Sequence, residues 1–357
     1  MSQVVRATDH PETRAVADPA TADTGHRAPW RWQHHLSIVG CLFLVWGAWT
    51  VTAWLLAGPH SITEYRDPDS EAFAIAKVYE VAIVAVSIAV TFHVIRGVLR
   101  ERRFTFDAQL CVAGALAFWI DPFYNFFVPS VAYSSNFVNV GSWCSYAPLV
   151  VNKNCGANPE PVFIGLSYCF GFLACAMLGC SVLRFLERRA PRMSMTKRLA
   201  ICGTVGMIFD IPFDVLPPRL NLWNEFSPDA LYLWGPEHRY PLWMVPAAVI
   251  FFGAPVAARY FRDDRGRTVF ERGLDHLGAR RRAALSFLAL VSFMQVVVAT
   301  AVFSLAPMGV YATDSPDYPR HIVNGQCDVG SNHGSPYGPC PGTPAFNAPI
   351  RHLPGHD

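Results

Sequence analysis

Apolar residues in this chain are gathered into long unbroken runs, and polar residues collect in the intervals between them. A helix needs about 20 mostly apolar residues to cross a bilayer. Seven segments meet or approach that length: 36–57, 72–95, 108–128, 161–183, 199–216, 242–258 and 283–306. They predict an all-α, polytopic membrane bundle of seven transmembrane helices. The first, fourth, sixth and seventh contain no Asp, Glu, Lys or Arg, whereas the other three carry ionisable residues. The alternating ten-residue segments of a β-barrel are not found, and a secretory leader would be a shorter apolar stretch nearer the N-terminus.

The intervals complete the expected organisation. Residues 1–30 are polar and rich in Ala, Thr, Asp and Pro and predict a disordered cytoplasmic tail, followed by a membrane domain over 31–306. Residues 307–357 are rich in Gly, Pro, Asn and His; two cysteines with Tyr311, Tyr318 and Tyr337 predict an ordered lid outside the membrane, fraying beyond about residue 345.

Composition agrees with lipid as the solvent. The 357 residues are 52% hydrophobic and 16% charged, against roughly 25% charged in soluble domains. A soluble two-domain enzyme, a disordered regulator and a disulfide mini-scaffold are therefore excluded as descriptions. The distribution of charge orients the chain. Of the 29 basic residues, 18 fall in the connections after the second, fourth and sixth spans, and six on the opposite side. The positive-inside rule then predicts a cytoplasmic N-terminus and an extracytoplasmic C-terminus. The same Arg clusters are expected to meet anionic lipid, and no nucleic-acid partner is expected. Oligomeric state has no signature in the sequence.

Cysteines give an independent reading of sidedness. Six lie in apolar spans, where a thiol packs as a small hydrophobe. The remaining four, Cys144, Cys155, Cys327 and Cys340, all fall on the side assigned as oxidising, and local pairing of Cys144 with Cys155 and Cys327 with Cys340 is preferred among the three connectivities. Zinc is the competing reading, but no CxxC or nearby His spacing supports it, and no metal or cofactor is expected.

The candidate chemistry lies within the spans. Lys77 and Glu80 share a face of the second helix with Ser87 and Thr91. The third carries Asp121 and Asn125 within FWIDPFYNFFVP, and the fifth carries Asp210 and Asp214 within MIFDIPFDVLPP. At about 1.5 Å per residue, all six polar groups reach one depth in the outer half of a core roughly 30 Å thick. A carboxylate at mid-span costs about 2.5–3.5 kcal/mol, so such residues mark a polar chamber or neutralised helix-to-helix contacts. Lys77 with Glu80 has an equally good reading as a structural ion pair. Pro122 and Pro212 each follow an Asp and are expected to break their helices and free the carbonyls of Phe118 and Ile208, which is tolerated where a helix lines a cavity. The two segments share an Asp, a Pro and Phe after it, an amide or acid at i+4 and a later Pro, a likeness that admits an internal repeat. Asp121, Asp210, Asp214 and Glu80 are the candidate catalytic groups, with Asn125, Lys77, Tyr124 and Trp119 as candidate substrate contacts.

Other residues carry weaker signals. His34, His35, His321, His333, His352 and His356 are expected to be solvated or interfacial, and Trp30, Trp32, Trp143, Trp223, Trp234, Tyr240 and Trp243 to form an interfacial belt. There is no Walker loop, dinucleotide fingerprint, nucleophile elbow or zinc-protease helix.

The seven-span layout, DPFYNFFVP at Asp121 to Pro129, NPEP at Asn158 to Pro161, DIPFDVLPPR at Asp210 to Arg219 and YGPCPG at Tyr337 to Gly342 resemble the AveC-like spirocyclase family of actinobacterial membrane proteins, over about residues 36–345. The resemblance implies closure of a lipophilic dihydroxyketone to a spiroketal in secondary metabolism, and no catalytic residue is carried over from it. Such closure needs an acid to expel water, a group to stabilise the oxocarbenium ion and a base for the second hydroxyl; carboxyls in an apolar chamber supply all three. Asp121 or Asp210 is the expected acid, with Asp214 and Glu80 as base and cation stabiliser and Asn125 orienting substrate. A membrane terpene cyclase and a non-enzymatic proton-coupled transporter or sensor remain as alternatives.

Overall fold

The computed structural model describes residues 31–226, 232–233, 240–242, 244–312, 319–324, 327 and 340. The expected tail over 1–30, most of the expected lid, the residues Trp30, Trp234 and Trp243, and His333, His352 and His356 lie outside the described residues.

Uninterrupted apolar sequence makes long helices, and small polar residues begin them. Helix α1 spans Trp32–Ala57 and stops at Gly58, whose φ of +83° no other residue adopts easily. Helix α2, Glu71–Glu101, starts under Ser70, whose hydroxyl accepts from the Phe73 N–H. Helix α3 runs from Phe106 to Ala115 beneath a Thr105 cap. Helices α4 (Val162–Arg189), α5 (Met195–Arg219), α6 (Met244–Tyr260) and α7 (Ala279–Leu305) follow. Five of these, α1, α2, α4, α5 and the run that begins with α7, are long and apolar enough to cross a membrane; α6 is apolar but shorter.

The third expected span is not one helix. Helix α3 stops at Ala115, and the chain continues as a 3-10 helix, Phe118–Asn125, with Pro122 inside it. The fifth span does continue past its Asp-Ile-Pro step, with one π-helical segment, Ile211–Val215, taking up the proline. One segment is tightened and the other widened, so the internal repeat is not supported. Another π segment, Ser167–Gly171, the first of the two in chain order, interrupts α4 without any proline. Single π turns are frequent at functional sites.

Helix α7 is the most enclosed, packing against α1, α3 and α6, while α4 packs on α5 and α6. Helices α1 and α2 turn Leu42, Val45, Trp49, Val78 and Ile88 outward, a surface that water would not tolerate and lipid would.

The two ends of the bundle differ. At the Arg-rich end, Gln33 donates to the Arg272 carbonyl, Arg259 meets Asp107, and Arg198 meets Glu187. At the other end, the connections fold into a small cap. Strand β1 (Val131–Tyr133) pairs with β4 (Trp223–Glu225), and β2 (Asn139–Gly141) with β3 (Pro159–Pro161), all antiparallel. The cap holds both disulfides, Cys144–Cys155 and Cys327–Cys340, as the preferred connectivity expects. The C-terminal segment is fastened to it, for the Ser135 N–H donates to the His321 carbonyl and Asn324 Nδ2 to the Tyr133 carbonyl. His321 is thus buried rather than solvated, and burial pushes its imidazole below the usual range.

Candidate active site

The two π segments and the 3-10 helix surround one cavity of about 230 Å³. Each broken element delivers an acid or its partner. The 3-10 helix presents Asp121 and Tyr124, the first π segment Ser167 and Tyr168, and the second Phe213 and Asp214, with Asp210 one residue before it. Helix α2 contributes Tyr79 and Ser87, while α6 closes the far wall with Phe251 and Phe252.

Asp121 is buried, and both of its oxygens accept phenol hydrogen bonds: Oδ1 from Tyr168 at 2.8 Å and Oδ2 from Tyr133 at 3.2 Å. This geometry depends on close helix approach. A Cβ on Gly114 of α3 would lie 2.2 Å from the Tyr168 carbonyl, so only glycine lets the first π segment come near enough. Asp210 and Asp214, one helical turn apart, are half-buried and in mutual hydrogen-bonding contact. Tyr79 crosses from α2 to donate to the Phe213 carbonyl at 3.2 Å, which pins the widened turn.

Two acids come from the cap. Pairing of β1 with β4 sets Glu225 opposite Val131 and Trp223 opposite Tyr133, and all four line the cavity. Burial, then the nearby Asp210, push the Glu225 carboxyl up to about 8. Pairing of β2 with β3 places Glu160 behind Asp121, within hydrogen-bonding reach. Burial and then Asp121 hold the Glu160 carboxyl well above the usual carboxylate range. Glu160 belongs to the NPEP segment, but neither its spacing nor that of Glu225 marks a cavity acid, because both arrive through pairing between distant loops.

The remaining sequence candidates lie elsewhere. Glu80 accepts from Lys77 at 2.8 Å and from the Val138 N–H, and neither Glu80 nor Lys77 lines the cavity. Asn125 is occupied by backbone, donating to the Val131 carbonyl at 2.8 Å and accepting from the N–H groups of Ser130 and Val131. It holds the turn that leads into β1 instead of facing substrate. Trp119 packs edge-on against Trp46 and Phe123, away from the cavity. Asp121, Tyr124, Asp210 and Asp214 are the candidates brought together. Among the described residues no group of three His, Cys, Asp or Glu is placed to hold a metal ion.

The Spirocyclase AveC-like family model matches residues 101–317. That range contains all five acids in or behind the cavity wall, but not Tyr79 or Ser87 of α2 or the YGPCPG motif. No curated protein and no solved structure matches the chain. The match covers more than half of the chain, and the protein belongs to the AveC-like spirocyclase family.

Proposed function

We propose that this protein is a membrane-embedded cyclase that closes a lipophilic dihydroxyketone to a spiroketal with loss of one water. The observation that carries the reading is four carboxyl groups, Asp121, Asp210, Asp214 and Glu225, around one aromatic-walled cavity with no Lys, Arg or His among its described lining residues. The family supports a cyclase role.

The first hydroxyl adds to the ketone to give a hemiketal, with no net change of atoms. Glu225, protonated near neutral pH, donates to the hemiketal hydroxyl, which leaves as water. Asp121, oriented by Tyr133 and Tyr168, faces the resulting oxocarbenium ion. The second hydroxyl attacks that carbon and passes its proton to a carboxylate of the Asp210–Asp214 pair, from which it returns to Glu225. Protons balance over the cycle and one water is released. Where sequence alone nominates Asp121 or Asp210 as acid, the geometry favours Glu225, and Glu80 has no place because its carboxylate is already engaged.

The test is conversion of a lipophilic dihydroxyketone by purified protein in lipid nanodiscs, read as loss of one water by mass spectrometry. Wild-type protein converts it, and Asp121→Asn, Asp214→Asn and Glu225→Gln each lose most of the rate. Full turnover by all three sinks the proposal. The π segments also suit a proton-coupled transporter; uptake into vesicles that depends on a proton gradient, without conversion, would establish that reading instead.

A further inference from the structure

The wall of the cavity has one sign of charge and many rings. Among its described residues are four carboxyls, and Tyr79, Phe163, Tyr168, Phe213, Trp223 and Phe251 supply aromatic surface. Lys77, the basic residue that the sequence groups with these acids, is turned to Glu80 and over the Phe73 ring. Glu225 is 6% exposed, lines the cavity, and accepts no hydrogen bond from any described residue, so its carboxyl is aimed at whatever fills the space. A buried acceptor without a donor is costly unless a ligand supplies one or supplies charge. Rings attract a cation through their quadrupoles, and carboxylates do so directly. Both features repel carboxylate and phosphate. A metal ion is a poor occupant, since no three of these acids converge on one point.

We infer that the cavity selects lipophilic monocations, specifically ammonium ions whose charged centre replaces the spiro carbon, and rejects anionic compounds of the same skeleton. The position of the charge rests on the cyclase reading; the preference for positive charge follows from the wall itself. Substrates are then neutral chains without a free carboxylate or phosphate, and stable ammonium ions are inhibitors.

The probe is a quaternary ammonium ion whose nitrogen is shared by two six-membered rings and bears no other substituent. Its controls are the all-carbon spiro hydrocarbon and a spiro-ring carboxylate. Full-length protein in nanodiscs of zwitterionic phosphatidylcholine is titrated by calorimetry at about pH 9, where Glu225 is ionised, with empty nanodiscs subtracted. The ammonium ion is expected to bind about ten-fold or more tighter than the hydrocarbon, with no measurable binding of the carboxylate. Asp214→Asn and Glu225→Gln each reduce that preference at least about three-fold while leaving hydrocarbon affinity unchanged, and Lys77→Met leaves both unchanged. Equal affinity for ammonium ion and hydrocarbon overturns the inference, as does a preference that survives both cavity substitutions. Turnover in the same nanodiscs separates the two ideas. Ammonium preference without cyclisation keeps this inference and removes the proposed reaction; cyclisation without the preference does the reverse.

Discussion

Acidic residues occur in two settings in this molecule, and the difference lies in what stands beside them. At the Arg-rich end, Asp107 meets Arg259 through two hydrogen bonds of 2.8 and 2.9 Å, and His93 lies 3.3 Å away. Burial opposes ionisation there, but Arg259 and then His93 outweigh it and hold the Asp107 carboxyl below the usual range. In the cavity, Asp121, Asp210, Asp214 and Glu225 face phenols, one another or the cavity itself, and no Lys, Arg or His is among its described lining residues. A neutralised acid ties α2, α3 and α6 together. Acids left without cations hold or move protons, and their cost is borne by the fold.

The largest expected effect is on the cavity side. Asp121→Asn keeps the shape of the side chain and removes the charge, so turnover falls by about 100-fold or more, within the range for loss of an acid–base group. Thermal unfolding in nanodiscs checks that the fold is retained. Unchanged turnover erases the distinction between the two settings.

Glu225 sharpens the comparison through pH. With its carboxyl pushed up to about 8, it is protonated and can donate below that value and is an anion above it. Turnover therefore falls as pH rises through about 8, and Glu225→Gln loses both most of the rate and this alkaline limb. A limb that persists in the variant would belong to another group.

Gly114→Ala tests positioning without touching an acid. The added methyl group meets the Tyr168 carbonyl, displaces the first π segment, and is expected to lower turnover about ten-fold with a stability loss of about 1–3 kcal/mol. Normal turnover would mean that the Tyr168 hydrogen bond to Asp121 is dispensable.

The paired acid should behave in the opposite way. Asp107→Asn leaves Arg259 uncompensated and costs on the order of 3 kcal/mol of stability, with turnover per folded molecule nearly unchanged. Because the Asp107 carboxyl is lowered in the fold, the stability it adds is present above the ordinary Asp value near 4 and is lost as pH falls through the lower folded value. Wild-type protein should therefore lose this advantage over Asp107→Asn only in acid, as thermal melts at graded pH will show. The smallest effect is expected for Glu80→Gln, within about three-fold of wild-type turnover, since a pair with one half-exposed partner carries little energy. A hundred-fold loss there would return Glu80 to the site.

The same contrast explains what was legible in the sequence. Apolar runs reveal helices, and i, i+4 spacing places Asp210 and Asp214 on one face, because both signals are local. The disulfides were legible because sidedness excluded the span cysteines. Spacing reports which residues share a face, not which neighbour that face meets. Spacing and depth therefore group Lys77 and Glu80 with the cavity acids, although Glu80 turns to Val138 in the cap. Helical spacing does not show the role of Asn125, because its turn hydrogen bonds run to residues five and six positions ahead. Spacing does not reveal Glu160 and Glu225 as cavity acids, because only the strand pairs carry them inward, from loops that read as polar connections.

The most direct test compares the two settings in one experiment: turnover per folded molecule and melting temperature for Asp121→Asn and Asp107→Asn, in the same nanodiscs with the same dihydroxyketone. The account predicts that Asp121→Asn abolishes water loss while melting close to wild type, and that Asp107→Asn melts lower while each folded molecule still converts substrate. Full conversion by Asp121→Asn, or loss of conversion by well-folded Asp107→Asn, would contradict it.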